Sequence, residues 1–157
     1  MCNMAIRNTA KGVVIHEGKI LLNRGKIEGR ECYALPGGGQ HPYEDMKDAV
    51  VRECLEETGY RVIPGELMAL YEEIRDNPEL REKHPDYTHI VYHVFLCRLA
   101  DEEMFAPVEM DSNQIGAEWI DLNALDGAPL CPSPFWAHMR VLLNNGIPKF
   151  LGTLHRP

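Results

Sequence analysis

Between Gly38 and Tyr60 the chain reads GGQHPYEDMKDAVVRECLEETGY, and three glutamates in that stretch constrain what the rest can be. Glu53, Glu56 and Glu57 lie three and four residues apart within a segment of helical periodicity. On a helix that spacing gathers all three carboxylates on one face, within a turn of each other. Like charges so placed repel by roughly 0.2–0.5 kcal/mol per pair, so a purely structural helix gains nothing from them. The cluster makes physical sense with a divalent cation against it.

The spacing predicts a helix from about Pro42 to Thr58. Proline stands early in it, Glu44 and Asp45 occupy the first turn where the helix dipole favours acids, and Gly59 follows as a C-terminal cap. Val50, Val51, Cys54, Leu55 and Thr58 fall on one arc roughly opposite the glutamates. The expectation is one face packed on the protein and an open acidic face.

At 157 residues the chain is read as one domain, 1–157, with no internal repeat or linker. A formal net charge of −8 argues against a nucleic-acid polymer or an anionic membrane as partner. It leaves room for a small anionic substrate, because bound metal ions invert the local field. Five scattered cysteines without a CxxC pair read as reduced thiols, and with no apolar leader or spanning run the expected location is cytoplasmic.

Residues 5–10 are read as an edge strand. Gly12 to Arg24 (GVVIHEGKILLNR) reads as two strands around a tight turn at Glu17-Gly18. Lys26 to Glu31 is read as loop, and Cys32 to Leu35 as a short strand ended by Pro36 and three glycines. Beyond the helix, Glu66 to Arg75 has β-compatible ends. The charged segment Asp76 to Tyr87 is read as a loop of about a dozen residues, suited to substrate access or dimer contacts. Thr88 to Leu99 is apolar on both alternating faces, as in a central strand covered on both sides. Asp101 to Gln114 is acidic and irregular, and Ala117 to Leu122 is a short strand. A proline-rich turn leads into a helix from Ser133, as N-cap, to about Asn144. The interleaving predicts an α/β fold, a sandwich with a mixed sheet.

Gly38, Glu44, Arg52, Glu53, Glu56, Glu57 and Gly59 stand at the spacing of the Nudix box, which this stretch resembles at every fixed position. Cys54 and Tyr60 replace the usual aliphatic residues without loss of packing character. LPGGG before the box and the strand around Trp119 resemble the family more loosely. The resemblance implies a MutT-like Nudix hydrolase, an α/β/α sandwich with a loop–helix–loop motif. It implies cleavage of a nucleoside diphosphate linked to another group, such as a nucleoside triphosphate or an ADP-ribose-like compound, with Mg²⁺ or Mn²⁺. Hard divalent cations prefer oxygen ligands and neutralise, orient and activate at a pyrophosphate.

By that resemblance Glu53, Glu56 and Glu57 are metal ligands, with the Gly38 carbonyl a further one. Arg52 orients a box carboxylate and Glu44 braces the loop. For the general base, a box glutamate stands beside three later carboxylates, Glu109, Asp111 and Glu118. Nucleotide-sugar or dinucleotide hydrolysis, and a catalytically silent ligand sensor, are the alternatives; the substrate-class region sixteen to eighteen residues beyond the box, Asp76-Asn77-Pro78, chooses none. The resemblance allows a homodimer. His89 and His93, four apart in a strand and so about 13 Å apart, cannot share one ion and are read as core or pocket residues. Arg24 is read as a surface residue. Cys32 and Cys54 are read as buried small hydrophobes, and most aromatic residues as core.

Overall fold

The computed structural model describes residues 6–27, 29–108, 110, 112–131 and 133–157. The chain folds as β1 (Arg7–His16), β2 (Lys19–Ile27), β3 (Arg30–Ala34), α1 (Met46–Thr58), β4 (Tyr60–Arg75), α2 (Pro78–Lys83), β5 (His89–Met104), β6 (Gln114–Asp121), α3 (Pro134–Asn145) and β7 (Lys149–Arg156). The strands run in the order β3-β2-β1-β5-β4-β7, and β6 pairs with β2 on its other side. Pairings of β1 with β5 and of β4 with β7 are parallel, and the others are antiparallel, so the sheet is mixed as expected.

Alternation along the strands builds two cores, one on each face. Ala10, Val14, Leu21, Phe95 and Cys97 pack with Ala49, Val50 and Cys54 of α1. Val13, Ile20, Leu22 and Val94 pack with Phe135, Met139 and Leu142 of α3. A helix therefore covers each side of the sheet, which is the α/β/α sandwich. Among the described residues no helix is long and apolar enough to cross a membrane.

The turn between β1 and β2 is the expected one, with Glu17 and Gly18 both left-handed at φ 47° and 76°. The β1–β2 ladder itself is short, holding only around Ile15↔Ile20 and His16↔Lys19. Where β1 parts from β2, the glycine loop takes its place. Ala10 N donates to Gly38 O and Gly12 N to Pro36 O, each at 2.9 Å, and Gln40 N donates to Asn8 O at 3.1 Å. Strand β1 is thus interior, not the edge strand expected over residues 5–10. Gly37, at φ 130°, is fixed there because a Cβ would sit 2.1 Å from Ala10 O.

Several boundaries differ from expectation for local reasons. Lys26 and Ile27 extend β2, and Arg30 and Glu31 open β3, because each pairs across the hairpin; the loop is shorter than Lys26 to Glu31. Helix α1 starts at Met46, not Pro42, because Glu44 turns back to accept from His41 N at 2.9 Å and Tyr43 is left-handed at φ 65°. Its end is as expected, with Gly59 at φ 77° donating to Leu55 O. Asp76 to Tyr87 is not structureless. Asn77 caps α2 through Glu79 N and Leu80 N, and a 3₁₀ turn, Pro85–Tyr87, follows. Strand β5 continues to Met104, into the segment read as irregular. Ser133 caps α3 by accepting from Phe135 N. Strand β7 was not expected at all.

Cys32 and Cys131 form a disulfide, with Cα atoms 5.4 Å apart, which corrects the reading of all five cysteines as reduced thiols. Cys54 and Cys97 are free and buried, and burial raises both thiols, Cys97 to about 12. They are packing groups.

Candidate active site

The box splits its carboxylates into two environments. Arg52, one turn before Glu56 on α1, is a hub. Its Nε donates to Glu44 Oε1 at 2.7 Å and its Nη2 to Glu44 Oε2 and Gly39 O at 3.0 Å. Its Nη1 donates to Glu53 Oε1 at 2.8 Å and Glu56 Oε2 at 3.0 Å. This fork geometry suits a guanidinium, which presents five donors in one plane. The Arg52 hydrogen bonds hold the Glu44 carboxyl down at about 2, and Glu44 in turn helps raise Arg52 above its ordinary value. Glu44 and Arg52 are thereby tied to each other and, through the Gly39 carbonyl, to the glycine loop.

Glu57 sits apart. It is buried at 4% exposure, on the arc expected to be apolar, so the acidic face is not uniformly open. Its Oε2 accepts from Asn23 Nδ2 at 2.6 Å and from Gly37 N at 2.8 Å. Burial raises its carboxyl, while Lys11, the Gly37 amide and Asn23 act in the opposite direction. The Lys11 ammonium donates to Gly37 O, so loop, helix and strand meet at this point. Gln114 Nε2 donates to the Glu57 carbonyl at 2.9 Å, tying β6 to the same turn.

Glu57, Lys11, Asn23 and Gln114 line a cavity of about 450 Å³, with Tyr87 and Cys131 also on its wall. A second cavity of about 240 Å³ shares Lys11, Ile27, Ala34, Leu35 and Cys131 with it and runs on to Tyr71, Glu73, Tyr92 and Trp136. The two adjoin along these shared residues and form one cleft, with Lys11 at the junction.

The metal-ligand candidates are therefore neighbours of unequal readiness. Glu53 and Glu56 meet at one guanidinium nitrogen. The Glu53 carboxyl lies against Gly38, where a Cβ would be 2.4 Å from it. The Gly38 carbonyl already accepts from Ala10 N. Among the described residues no three His, Cys, Asp or Glu side chains converge as they stand on an ion position. The donors fit a hard divalent cation in kind, being oxygens throughout.

Glu118 is separated from this group. In the β2–β6 register it stands opposite Leu22, whose side chain joins the α3-side core, while Asn23 points to Glu57 on the other face. Glu118 accepts from Tyr33 Oη and from Arg24 Nη1, and the Tyr33 hydroxyl is raised by that bond. Glu118 is thus held with Tyr33 and Arg24, with Leu22 as its partner in the β2–β6 register. Arg24 is partly exposed and pairs with Glu31 at 2.6 Å. Glu109 and Asp111 lie outside the described residues. His89 contacts Glu72 at 3.3 Å and His93 the Thr9 carbonyl at 3.4 Å, so they share no ligand. Lys11, Asn23 and Gln114 were not foreseen; the one signal was a lysine interrupting the apolar run of β1.

A model of the NUDIX domain matches residues 6–140. An ADP-ribose pyrophosphatase of Methanocaldococcus jannaschii is 31% identical over 115 residues, 73% of this chain and 61% of that protein, so the chain spans about three fifths of that relative's length. Among solved structures, a NUDIX hydrolase from Nitrosomonas europaea superposes with a TM-score of 0.70 at 19% identity, covering 90% of both chains. An ADP-ribose pyrophosphatase from Streptococcus suis superposes with a TM-score of 0.65 at 21% identity, covering 93% of this chain and 99% of that one. With the complete box folded as loop, helix and loop against β1, and with the family model matching most of its length, the chain belongs to the Nudix family.

Proposed function

We propose that this chain is a metal-dependent pyrophosphohydrolase whose substrate is a nucleoside diphosphate linked to another group, an ADP-ribose-like compound being the leading case. The observation that carries the reading is Glu57, a buried box carboxylate on the wall of a cleft whose central cation is Lys11. The name of the Methanocaldococcus jannaschii relative supports the ADP-ribose-like choice.

Glu53, Glu56, Glu57 and the Gly38 carbonyl would hold Mg²⁺ or Mn²⁺. When bound, such an ion neutralises the diphosphate and makes a water more acidic. Glu53 and Glu56 come to it in competition with Arg52, which keeps the pair compensated otherwise. Lys11 supplies a fixed positive charge for the diphosphate, and its bond to Gly37 O keeps the ammonium at the cleft junction. Asn23 and Gly37 N hold the Glu57 carboxylate in one orientation. Arg52 and Glu44 set the angle at which α1 presents the box.

The test is incubation with Mg²⁺ or Mn²⁺ and a panel of nucleoside triphosphates, ADP-ribose, nucleotide sugars and dinucleotides, reading released nucleoside monophosphate. Release is expected, and its loss in the Glu53→Gln, Glu57→Gln double variant. Turnover that survives that variant overturns the ligand assignment. Tight nucleotide binding with no turnover on any compound makes the chain a sensor instead.

A further inference from the structure

The half of the cleft beyond Lys11 is built unlike the box. On β4, Tyr71, Glu73 and Arg75 alternate onto one face, and Tyr92 of β5 stands opposite Tyr71. The two tyrosine rings stack at 4.5 Å with 14° between planes, and Trp136 of α3 closes the wall. Burial raises both phenols, Tyr71 to about 12, so both are neutral aromatic surface. Among them stands Glu73, 7% exposed.

The surroundings of Glu73 differ from those of a structural ion pair. Its nearest guanidinium atoms are Arg75 Nη2 at 3.3 Å and Arg156 Nε at 3.4 Å, both beyond the 2.7–3.0 Å of the Arg52 bonds to Glu44, Glu53 and Glu56. Among the described residues no hydrogen bond ends on it. A nearly buried carboxylate ordinarily accepts several directed bonds. Here its charge is balanced while its acceptor capacity is left for something in the cavity. An ionised carboxylate only accepts, and guanidinium groups only donate.

We infer that this compartment seats the base of the substrate, and that the base is adenine: its exocyclic amino group donates to Glu73, an adjacent ring nitrogen accepts from a flanking arginine, and its plane lies against the aromatic wall. The inference rests on the proposed reading, in which the diphosphate lies at Lys11 between the two compartments. Adenine carries an amino donor beside a ring-nitrogen acceptor, the complement of a carboxylate beside a guanidinium. In that same placement a 6-oxo purine turns its oxygen toward Glu73 and its ring N–H toward the arginine, and a site holding an unpaired polar group rejects the analogue that cannot satisfy it. Guanine set on its other donor edge is the alternative that GMP tests.

The experiment is calorimetric titration of the purified chain with AMP, IMP and GMP without added metal, alongside the hydrolysis panel. AMP is expected to bind about tenfold or more tighter than IMP, the size of one hydrogen bond to a charged group. Glu73→Gln, whose amide both donates and accepts, should bring the two within about threefold. Trp136→Leu should weaken all three ligands alike. Equal binding of AMP and IMP by the wild type, GMP binding tighter than AMP, no AMP binding up to millimolar, or an unchanged ratio in Glu73→Gln each overturns the base seat. Turnover without discrimination overturns this inference alone. AMP preference without turnover leaves the seat standing and overturns the proposed activity.

Discussion

The glutamates of α1 sit within one turn of each other and yet live in opposite chemical conditions. Glu53 and Glu56, with Glu44 from the loop, are gathered by one guanidinium that offsets part of their charge at the surface of the helix. Glu57, on the next position, is carried under the glycine loop and held by uncharged donors, an amide side chain and a backbone N–H. The first arrangement lowers a carboxyl to about 2 at Glu44, and the second raises the carboxyl at Glu57. The difference teaches that identical side chains on one motif meet different conditions, pairing with a guanidinium in one case and burial against uncharged donors in the other.

Breaking each half should therefore leave opposite signatures. Glu57→Gln is expected to cut turnover about 10³-fold, in the range of losing a group that acts directly on the reacting atoms. Its thermal midpoint at pH 7 should rise, because a buried charge becomes neutral while the Gly37 amide keeps an acceptor. Turnover within tenfold of wild type would erase the distinction between the two groups.

Arg52→Ala should do the reverse to the fold. It strands three part-buried carboxylates, and their partial exposure brings the expected loss to about 2 kcal/mol, a drop of roughly 4–8 °C in Tm by calorimetry. A Tm unchanged within 1 °C or so would mean the hub braces nothing.

The same half predicts a pH signature. Glu44 ionises more readily folded than unfolded, so its contribution is fully present above its ordinary value of 4.5 and is lost as pH falls toward about 2. Chemical denaturation should show wild-type stability falling through that window, with a shallower fall in Glu44→Gln. Parallel curves would sink the assignment.

Smaller effects sharpen the boundary of the site. Gly38→Ala puts a methyl against the Glu53 carboxyl, which is the free end of a side chain and can swing aside. It should cost about tenfold in kcat/KM with little change in Tm. Glu118→Gln is the smallest, with turnover within about twofold, because Glu118 faces Tyr33 and Arg24 across the sheet. A loss comparable to that of Glu57→Gln would restore it to the reacting group.

How much of this the sequence carried depends on how local each signal was. The Glu17-Gly18 turn, the Gly59 cap, the Ser133 cap and the seven box positions are set by neighbours within a few residues, and each was legible. The inward turn of Glu57 was not, because it is decided by Asn23, 34 residues away, and by the gap between β1 and β2. Lys11 stayed hidden for the same reason, because its partners, Gly37 and Glu57, lie far away in sequence. The edge reading of β1 failed because its partner on that side is a loop without strand character. Strand β7 forms by tertiary pairing with β4, whose register no short-range pattern announces.

The glycine loop laid along β1 has a consequence in exchange behaviour. The amides of Ala10 and Gly12 are closed by the carbonyls of Gly38 and Pro36, so deuterium uptake at those two positions measures how often the loop lifts from the strand. A strand in the middle of the sheet thereby becomes a gauge of the site's local opening, one that a ligand gripping the loop would slow while the amides of α3 kept their own pace.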